Sequence, residues 1–96
     1  MSKLSPEQLE ARLNDLSEWS LSNDAIQRTY QFDHFSDAIA FVNRVAEYAE
    51  TVQHHPDILI RYNKVTLTLT THDAEGVTNR DIQFATVADD FLAART

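Results

Sequence analysis

The stretch AETVQHHPDILIRYNKVTLTLTT, residues 49–71, holds the end of a helix and the two strands of a hairpin. Upstream, apolar residues recur every three or four positions, which is the period of a helix. Pro56 biases His55 toward an extended backbone, so the helix is predicted to end just before the two histidines. ILIRY and VTLTLTT predict two strands joined at Asn63-Lys64, and a continued second strand would place His72 on its threonine face. The opposite face of that strand is apolar and consists of Val65, Leu67 and Leu69.

The helix before the histidines is predicted to run from about Asp37 to Val52. Ser36 is a good N-cap, and Asp37 lies in the first turn, where the helix dipole favours a negative charge. His34 is interpreted as a turn residue before this cap. The apolar positions that define the helix are Ala38, Phe41, Val42, Val45, Tyr48, Ala49 and Val52.

The first third of the chain contains a helix and two extended runs. Ser5 begins the helix, with Pro6 suited to its first position and Gln8 completing a capping box. Asn23-Asp24 is a turn signal between the extended runs. The second run alternates apolar and polar residues, which predicts a half-buried strand, and Arg28 interrupts its apolar side.

A last helix is predicted after the loop that follows the hairpin. Thr78 caps it, and Asp81 occupies the capping-box position. Its inward positions are Ile82, Ala85, Ala88 and Leu92. The complete order α-β-β-α-β-β-α predicts an α+β fold, a four-stranded antiparallel sheet with three helices packed on one face. Residues 1–96 are predicted to form a single domain.

The composition excludes several classes of function. The chain has no cysteine and one glycine, Gly76, which excludes disulfides, thiolate metal sites and glycine-rich phosphate loops. A net charge of −7 repels phosphate backbones, so direct nucleic-acid binding is disfavoured. No apolar run approaches the roughly 20 residues of a membrane span. The N-terminus also lacks the apolar core of a secretory signal, so we expect no membrane association and a cytoplasmic location.

Two adjacent histidines, His54 and His55, stand at the corner between helix and sheet. Neighbouring side chains of an extended segment point to opposite sides, so the pair is not expected to hold one metal ion. From spacing alone, ordinary exposed loop histidines are the alternative interpretation. Glu50 precedes His54 by four residues. If the helix continues that far, its carboxylate orients the His54 ring and favours the imidazolium form.

The spacing of these polar residues resembles the signature of the pterin-4a-carbinolamine dehydratases. It consists of Glu50, His54-His55-Pro56, Tyr62, His72 and Asp81. The flanking segments YQF, RYNKVTLTLTTH and RDI extend the resemblance over about residues 19–92. The resemblance implies a 4a-hydroxytetrahydrobiopterin dehydratase, a hydro-lyase that converts 4a-hydroxytetrahydropterin to quinonoid dihydropterin and water. It implies no metal and no organic cofactor, since the pterin is the substrate, and a role in recycling the pterin of aromatic amino-acid hydroxylases.

The resemblance also implies roles for individual residues. His54, His55 and His72 are the catalytic set: His54 is the first acid–base residue, His72 assists at the leaving hydroxyl, and His55 contacts the pterin. Glu50 and Asp81 support these histidines. The substrate-binding residues are Gln53, His54, His55, Thr70, Thr71, His72 and Asp73, with Trp19 at the pocket edge. Structural alternatives stay open for Trp19 in the core, Tyr62 in hairpin packing, Glu50 at a solvated helix end and Asp81 as a cap.

A non-catalytic binding module is the alternative function. Some animal relatives of the resembled family act as dimerization cofactors of a homeodomain transcription factor through a helical surface. Such a surface here would consist of Phe41, Val45, Tyr48 and Val52. The same surface would serve self-association, and the resemblance implies a homodimer or homotetramer.

Overall fold

The computed structural model describes residues 2–94, which form three α-helices and a four-stranded sheet in the predicted order. The elements in chain order are α1 (Pro6–Leu13), β1 (Ser20–Ser22), β2 (Ala25–Gln31), α2 (Phe35–Val52), β3 (Asp57–Arg61), β4 (Lys64–Leu69) and α3 (Asn79–Ala94). A short 3-10 helix, His72–Ala74, lies between β4 and α3. The predicted α+β class is therefore confirmed.

The sheet is antiparallel throughout, with the strand order β1-β2-β4-β3. β2 and β4 form its centre, where Arg28 lies opposite Leu67. Among the strands of the described chain, β3 pairs with β4 alone, with Ile60 opposite Val65, so its other side is an open edge. All five residues of β3 are exposed.

The core lies between the sheet and the helices. The predicted apolar face of β4 is buried, and it packs with side chains of β2, α2 and α3 in one cluster. Rings of Tyr30 and Phe41 meet there with their centroids 4.6 Å apart. α1 has no buried residue, and its Leu9 and Leu13 pack only partly against the cluster. The helices α2 and α3 therefore carry most of the packing that holds the sheet.

Several predicted caps and turns are confirmed. Ser5 and Gln8 form the reciprocal capping box of α1. Asn23 and Asp24 separate β1 from β2, and Asn23 has a positive φ of 56°. The Thr78 amide donates to the Asp81 carboxylate at 2.9 Å, which is one half of a capping box for α3.

Three predicted boundaries are wrong. α2 begins at Phe35 with His34 at its N-cap, because the His34 carbonyl already accepts from the first-turn amides; Ser36 lies inside the helix. The hairpin turn is Tyr62-Asn63 rather than Asn63-Lys64, because the Asn63 side chain is held by the Phe32 carbonyl at 2.7 Å. β4 ends at Leu69, and a bridge between Thr71 and Gly76 closes the next loop. His72 is consequently not on a strand face.

Candidate active site

The corner that carries the histidine pair is made by the end of α2. Gln53 adopts the left-handed conformation, with φ 54° and ψ 46°, and the His54 amide donates to the Ala49 carbonyl at 3.1 Å. This is the hydrogen-bond pattern of a helix terminated by a left-handed residue, a place where glycine is usual. Nη2 of Arg80 donates to the carbonyls of Val52 and Gln53, at 3.2 and 2.7 Å. The first turn of α3 thereby fixes the end of α2.

His54 is bound to the carboxylate of Asp81 in the interior of this corner. Nε2 of His54 lies 2.5 Å from Oδ1 of Asp81, and the two residues are 8% and 0% exposed. Oδ2 of Asp81 accepts from the Thr71 hydroxyl at 2.8 Å and from the Thr78 amide at 2.9 Å. Asp81 therefore caps α3 and orients His54 with the same side chain, so the capping role and the supporting role predicted for it coexist.

His55 is paired with the other predicted supporting residue. Its Nε2 lies 2.6 Å from Oε2 of Glu50, and both side chains are largely exposed. The expectation that Glu50 orients His54 is wrong. The left-handed residue Gln53 turns the chain, so His54 leaves the helical face that carries Glu50. Each histidine of the pair thus has its own carboxylate.

His72 lies in this region because the preceding residue, Thr71, is bound to Asp81. Thr71 and His54 share one carboxylate, that of Asp81, and His72 follows Thr71 at the start of the 3-10 helix. The side chains of His72 and Asp73 are exposed. The hydroxyl of Thr70 donates to the Asp24 carbonyl at 2.7 Å. Contact of these residues with a substrate stays a prediction.

Trp19 lies in the core, as the alternative interpretation had it. It is 4% exposed, and its indole N–H donates to both oxygens of Asp89, at 3.1 and 3.2 Å. The same carboxylate accepts from Arg28 at 2.8 Å and from the Tyr30 hydroxyl at 2.6 Å. Burial and the neighbouring Asp89 raise the pKa of the Tyr30 phenol. This cluster was not predicted from the sequence, although Arg28 on the apolar side of β2 was a signal for it.

Tyr62 occupies the hairpin turn with a positive φ of 53° and is exposed. A cavity of about 540 Å³ lies elsewhere, between α1 and the turn after β1, and no predicted site residue lines it. Among residues 2–94, no group of three or more His, Asp or Glu is placed to hold a metal ion. No helix within that part of the chain is long and apolar enough to cross a membrane.

The comparisons with known proteins agree with the resemblance seen in the sequence. A family model described as "Pterin 4 alpha carbinolamine dehydratase" matches residues 2–91. "Putative pterin-4-alpha-carbinolamine dehydratase 2" of Gloeobacter violaceus is 53% identical, covering 88% of this chain and 97% of that protein. A relative of similar name from Thermomicrobium roseum is 52% identical over 88% of this chain and 91% of its own length.

Two solved structures share the fold. A transcriptional coactivator/pterin dehydratase from Brucella melitensis has a TM-score of 0.91 and 35% identity, covering 94% of this chain and 98% of that one. A pterin dehydratase-like RuBisCO assembly factor of the alpha-carboxysome has a TM-score of 0.64 over 76% of this chain and 84% of that one. At 19% identity, this second likeness concerns the fold alone. By its sequence and by its fold, the chain belongs to the pterin-4a-carbinolamine dehydratase family.

Proposed function

We propose that the protein catalyses the dehydration of 4a-hydroxytetrahydropterin to quinonoid dihydropterin and water. The observation that carries the proposal is the corner at the end of α2, where each of two adjacent imidazoles is bound through Nε2 to a carboxylate. A carboxylate on one ring nitrogen fixes the ring and leaves the other nitrogen to exchange a proton. The family membership supports a pterin as the substrate class of this proposal.

The reaction needs proton transfer and little else. The N5–H proton is removed, its electron pair forms the N5=C4a double bond, and the C4a–O bond breaks. The departing hydroxide takes up a proton and leaves as water. No net electrons move, so no redox cofactor is needed, and we propose that the histidines carry out both proton transfers without a metal or an organic cofactor. General acid–base help of this kind is typically worth about 10²–10⁴-fold in rate.

We assign His54 as the first acid–base residue because its ring is buried and oriented by Asp81. His72 is assigned to the departing hydroxyl and His55 to the pterin ring. Thr71 supports this arrangement, since it joins the start of the His72 turn to the carboxylate that holds His54. In an organism with aromatic amino-acid hydroxylases, the reaction would recycle their pterin.

The binding-module alternative loses the surface expected for it. Phe41 and Val45 are buried in the core, and Tyr48 packs against the rings of Phe84 and Phe91. Val52, at 37% exposure, is the residue of that set that faces outward. Phe41 and Val45 are therefore wrong as members of an interaction surface, because they pack in the protein's own core.

Self-association is instead proposed through the open edge of β3. The edge carries three consecutive exposed aliphatic residues, Ile58, Leu59 and Ile60, and unpaired backbone groups of this kind readily pair with another strand. Antiparallel pairing centred on Leu59 would set Asp57 of one copy opposite Arg61 of the second. The charges at the two ends of the strand are thus complementary in a homodimer.

The activity is tested by following quinonoid dihydropterin formation from synthetic carbinolamine by stopped-flow absorbance. The wild-type protein should accelerate the reaction, and the His54→Ala/His72→Ala double variant should fall to the buffer rate while its circular dichroism stays native. His34→Ala is the matched control, because His34 is exposed and its side chain makes no cap hydrogen bond. A wild-type rate equal to buffer, or full activity in the double variant, would reject the proposal.

A further inference from the structure

Behind His54 lies a chain of hydrogen bonds between buried hydroxyl groups and one carboxylate. The Arg80 amide donates to Oγ1 of Thr78 at 3.2 Å, and that oxygen lies 2.7 Å from Oγ1 of Thr71. The Thr71 hydroxyl reaches Oδ2 of Asp81 at 2.8 Å. Oδ1 of Asp81 then reaches Nε2 of His54 at 2.5 Å. Thr71, Thr78, Asp81 and His54 are all buried.

The direction of each hydrogen bond in this chain follows from which groups have a proton to donate. Oγ1 of Thr78 accepts a hydrogen bond from the Arg80 N–H, so the Thr78 hydroxyl can donate to Oγ1 of Thr71. The Thr71 hydroxyl then donates to Asp81. Oδ2 of Asp81 also accepts the Thr78 N–H, so an ionised carboxylate satisfies every contact on that side. The contact between Asp81 and His54 then needs a proton from Nε2. An ionised carboxylate only accepts hydrogen bonds, so Nε2 is the donor in this contact.

Within the described part of the chain, the other ring nitrogen of His54 has no hydrogen-bond partner. Within residues 2–94, Nε of Arg28 is the one buried side-chain nitrogen or oxygen that lacks a hydrogen bond. Nδ1 of His54 forms no hydrogen bond to the described residues. Because it is not one of the buried atoms that lack a partner, it is accessible to solvent. The lone pair of a ring protonated at Nε2 is on Nδ1.

We propose that Thr71 and Thr78 are positioning residues: they hold the Asp81 carboxylate so that His54 keeps its proton on Nε2 and presents Nδ1 as its exchanging nitrogen. Proton exchange with a pterin rests on the proposed function, whereas the tautomer of His54 does not. Loss of the Thr71 hydroxyl frees one side of the carboxylate. Loss of the Thr78 hydroxyl removes the partner that orients the Thr71 hydroxyl toward Asp81. In both cases Asp81 is held less firmly, so the Nε2–H bond to Oδ1 weakens and the second tautomer becomes populated. Residues that orient metal-bound histidines through hydrogen bonds are typically worth about 10- to 100-fold in metal affinity or activity, and we take this range as the scale for the loss expected here.

The test combines a spectrum with kinetics. Long-range ¹H–¹⁵N correlation spectra of ¹⁵N-histidine-labelled protein report the tautomer of each ring, and His54→Gln assigns the His54 signals. We expect the Nε2–H form in the wild type at about pH 8.5, where an ordinary imidazole is neutral. Thr71→Val and Thr78→Val should each populate the Nδ1–H form and lower kcat about tenfold with KM changed less than twofold, and the serine variants should restore both readouts.

Thr66→Val is the matched control, since it breaks a second threonine pair, Thr29–Thr66 at 2.8 Å, on the exposed side of the sheet. It should leave the His54 spectrum and kcat at wild-type values. An Nδ1–H ring in the wild type, or valine variants with wild-type spectrum and kcat, would overturn the proposal. A purely structural role predicts lower stability with an unchanged tautomer. If the wild type has no dehydratase activity, the proposed function fails, and the spectrum still decides the tautomer.

Discussion

Asp81→Asn isolates the charge of the carboxylate from its shape. A carboxamide has one acceptor oxygen and one donor NH₂ group. The Thr71 hydroxyl and the Thr78 amide both need an acceptor at the present Oδ2 position, so the amide oxygen should occupy it. The NH₂ group then faces Nε2 of His54, which must accept. The ring proton moves to Nδ1, and the outward nitrogen can no longer take a proton.

The expected loss of kcat follows from this change of tautomer at His54. The equivalent Asp→Asn exchange in the serine-protease triad lowers kcat about 10⁴-fold through the wrong tautomer. Here His72 is expected to supply part of the acid–base help, so the loss should lie at about 10²–10⁴-fold, the full range of general acid–base catalysis. KM should change little, because the ring keeps its position.

Asparagine is preferred to alanine because of stability. Asp81→Ala leaves two buried donors, the Thr71 hydroxyl and the Thr78 amide, without an acceptor, at about 1–3 kcal/mol each. The total of about 2–6 kcal/mol is a large part of the free energy of unfolding of a typical domain, about 5–15 kcal/mol. Asp81→Asn retains an acceptor for both donors and should remain folded.

The assays are stopped-flow dehydration for kcat, urea denaturation for the free energy of unfolding, and the His54 nitrogen spectrum. The expected order of stability is wild type, then Asp81→Asn, then Asp81→Ala. A kcat of Asp81→Asn within threefold of wild type, together with an Nε2–H ring, would refute the reasoning. So would an alanine variant less than about 1 kcal/mol below wild type, because one orphaned buried donor already costs that much.

Three further outcomes are expected. The pKa of Tyr30 is raised in the folded state, so its neutral phenol stabilises the fold fully below about pH 10 and less as the pH rises toward the folded-state pKa. The urea midpoint should therefore fall more steeply above pH 10 in wild type than in Tyr30→Phe. Equal slopes for the two proteins would contradict this. Gln53→Gly should raise the free energy of unfolding by about 0.5–1 kcal/mol, because glycine tolerates the left-handed conformation; a lower urea midpoint would argue against it. Leu59→Lys should convert a dimer to a monomer in analytical ultracentrifugation, and a monomeric wild type at micromolar concentration would remove the β3 interface.

The elements that could be predicted from the sequence are those with a repeated local pattern. The apolar period of α2 and the alternation of β4 are set by one buried face each, and burial repeats at every turn or every second residue. The capping box of α1 is likewise a contact between residues three positions apart. Such features depend on neighbours along the chain, so a single sequence contains them.

The features that escaped prediction depend on contacts between distant segments. The turn of the β3–β4 hairpin is displaced by one residue because Asn63 is bound to the Phe32 carbonyl, which is remote in sequence. The cluster around Asp89 joins Trp19 and Arg28 to the far end of α3. A left-handed glutamine, Gln53, has no local signal, and it decides which histidine meets Glu50.

Asp81 shows how stability and chemistry are joined at this site. Its Oδ2 satisfies the first turn of α3, and its Oδ1 holds the ring at the end of α2. Arg80, one residue earlier, closes the same junction from the other side through the α2 carbonyls. The helix start and the imidazole therefore cannot move independently, and any substitution that loosens the cap also reorients the ring. Serine or threonine in place of Asp81 could not reach both partners at once, and asparagine would reach both only by reversing the tautomer of His54.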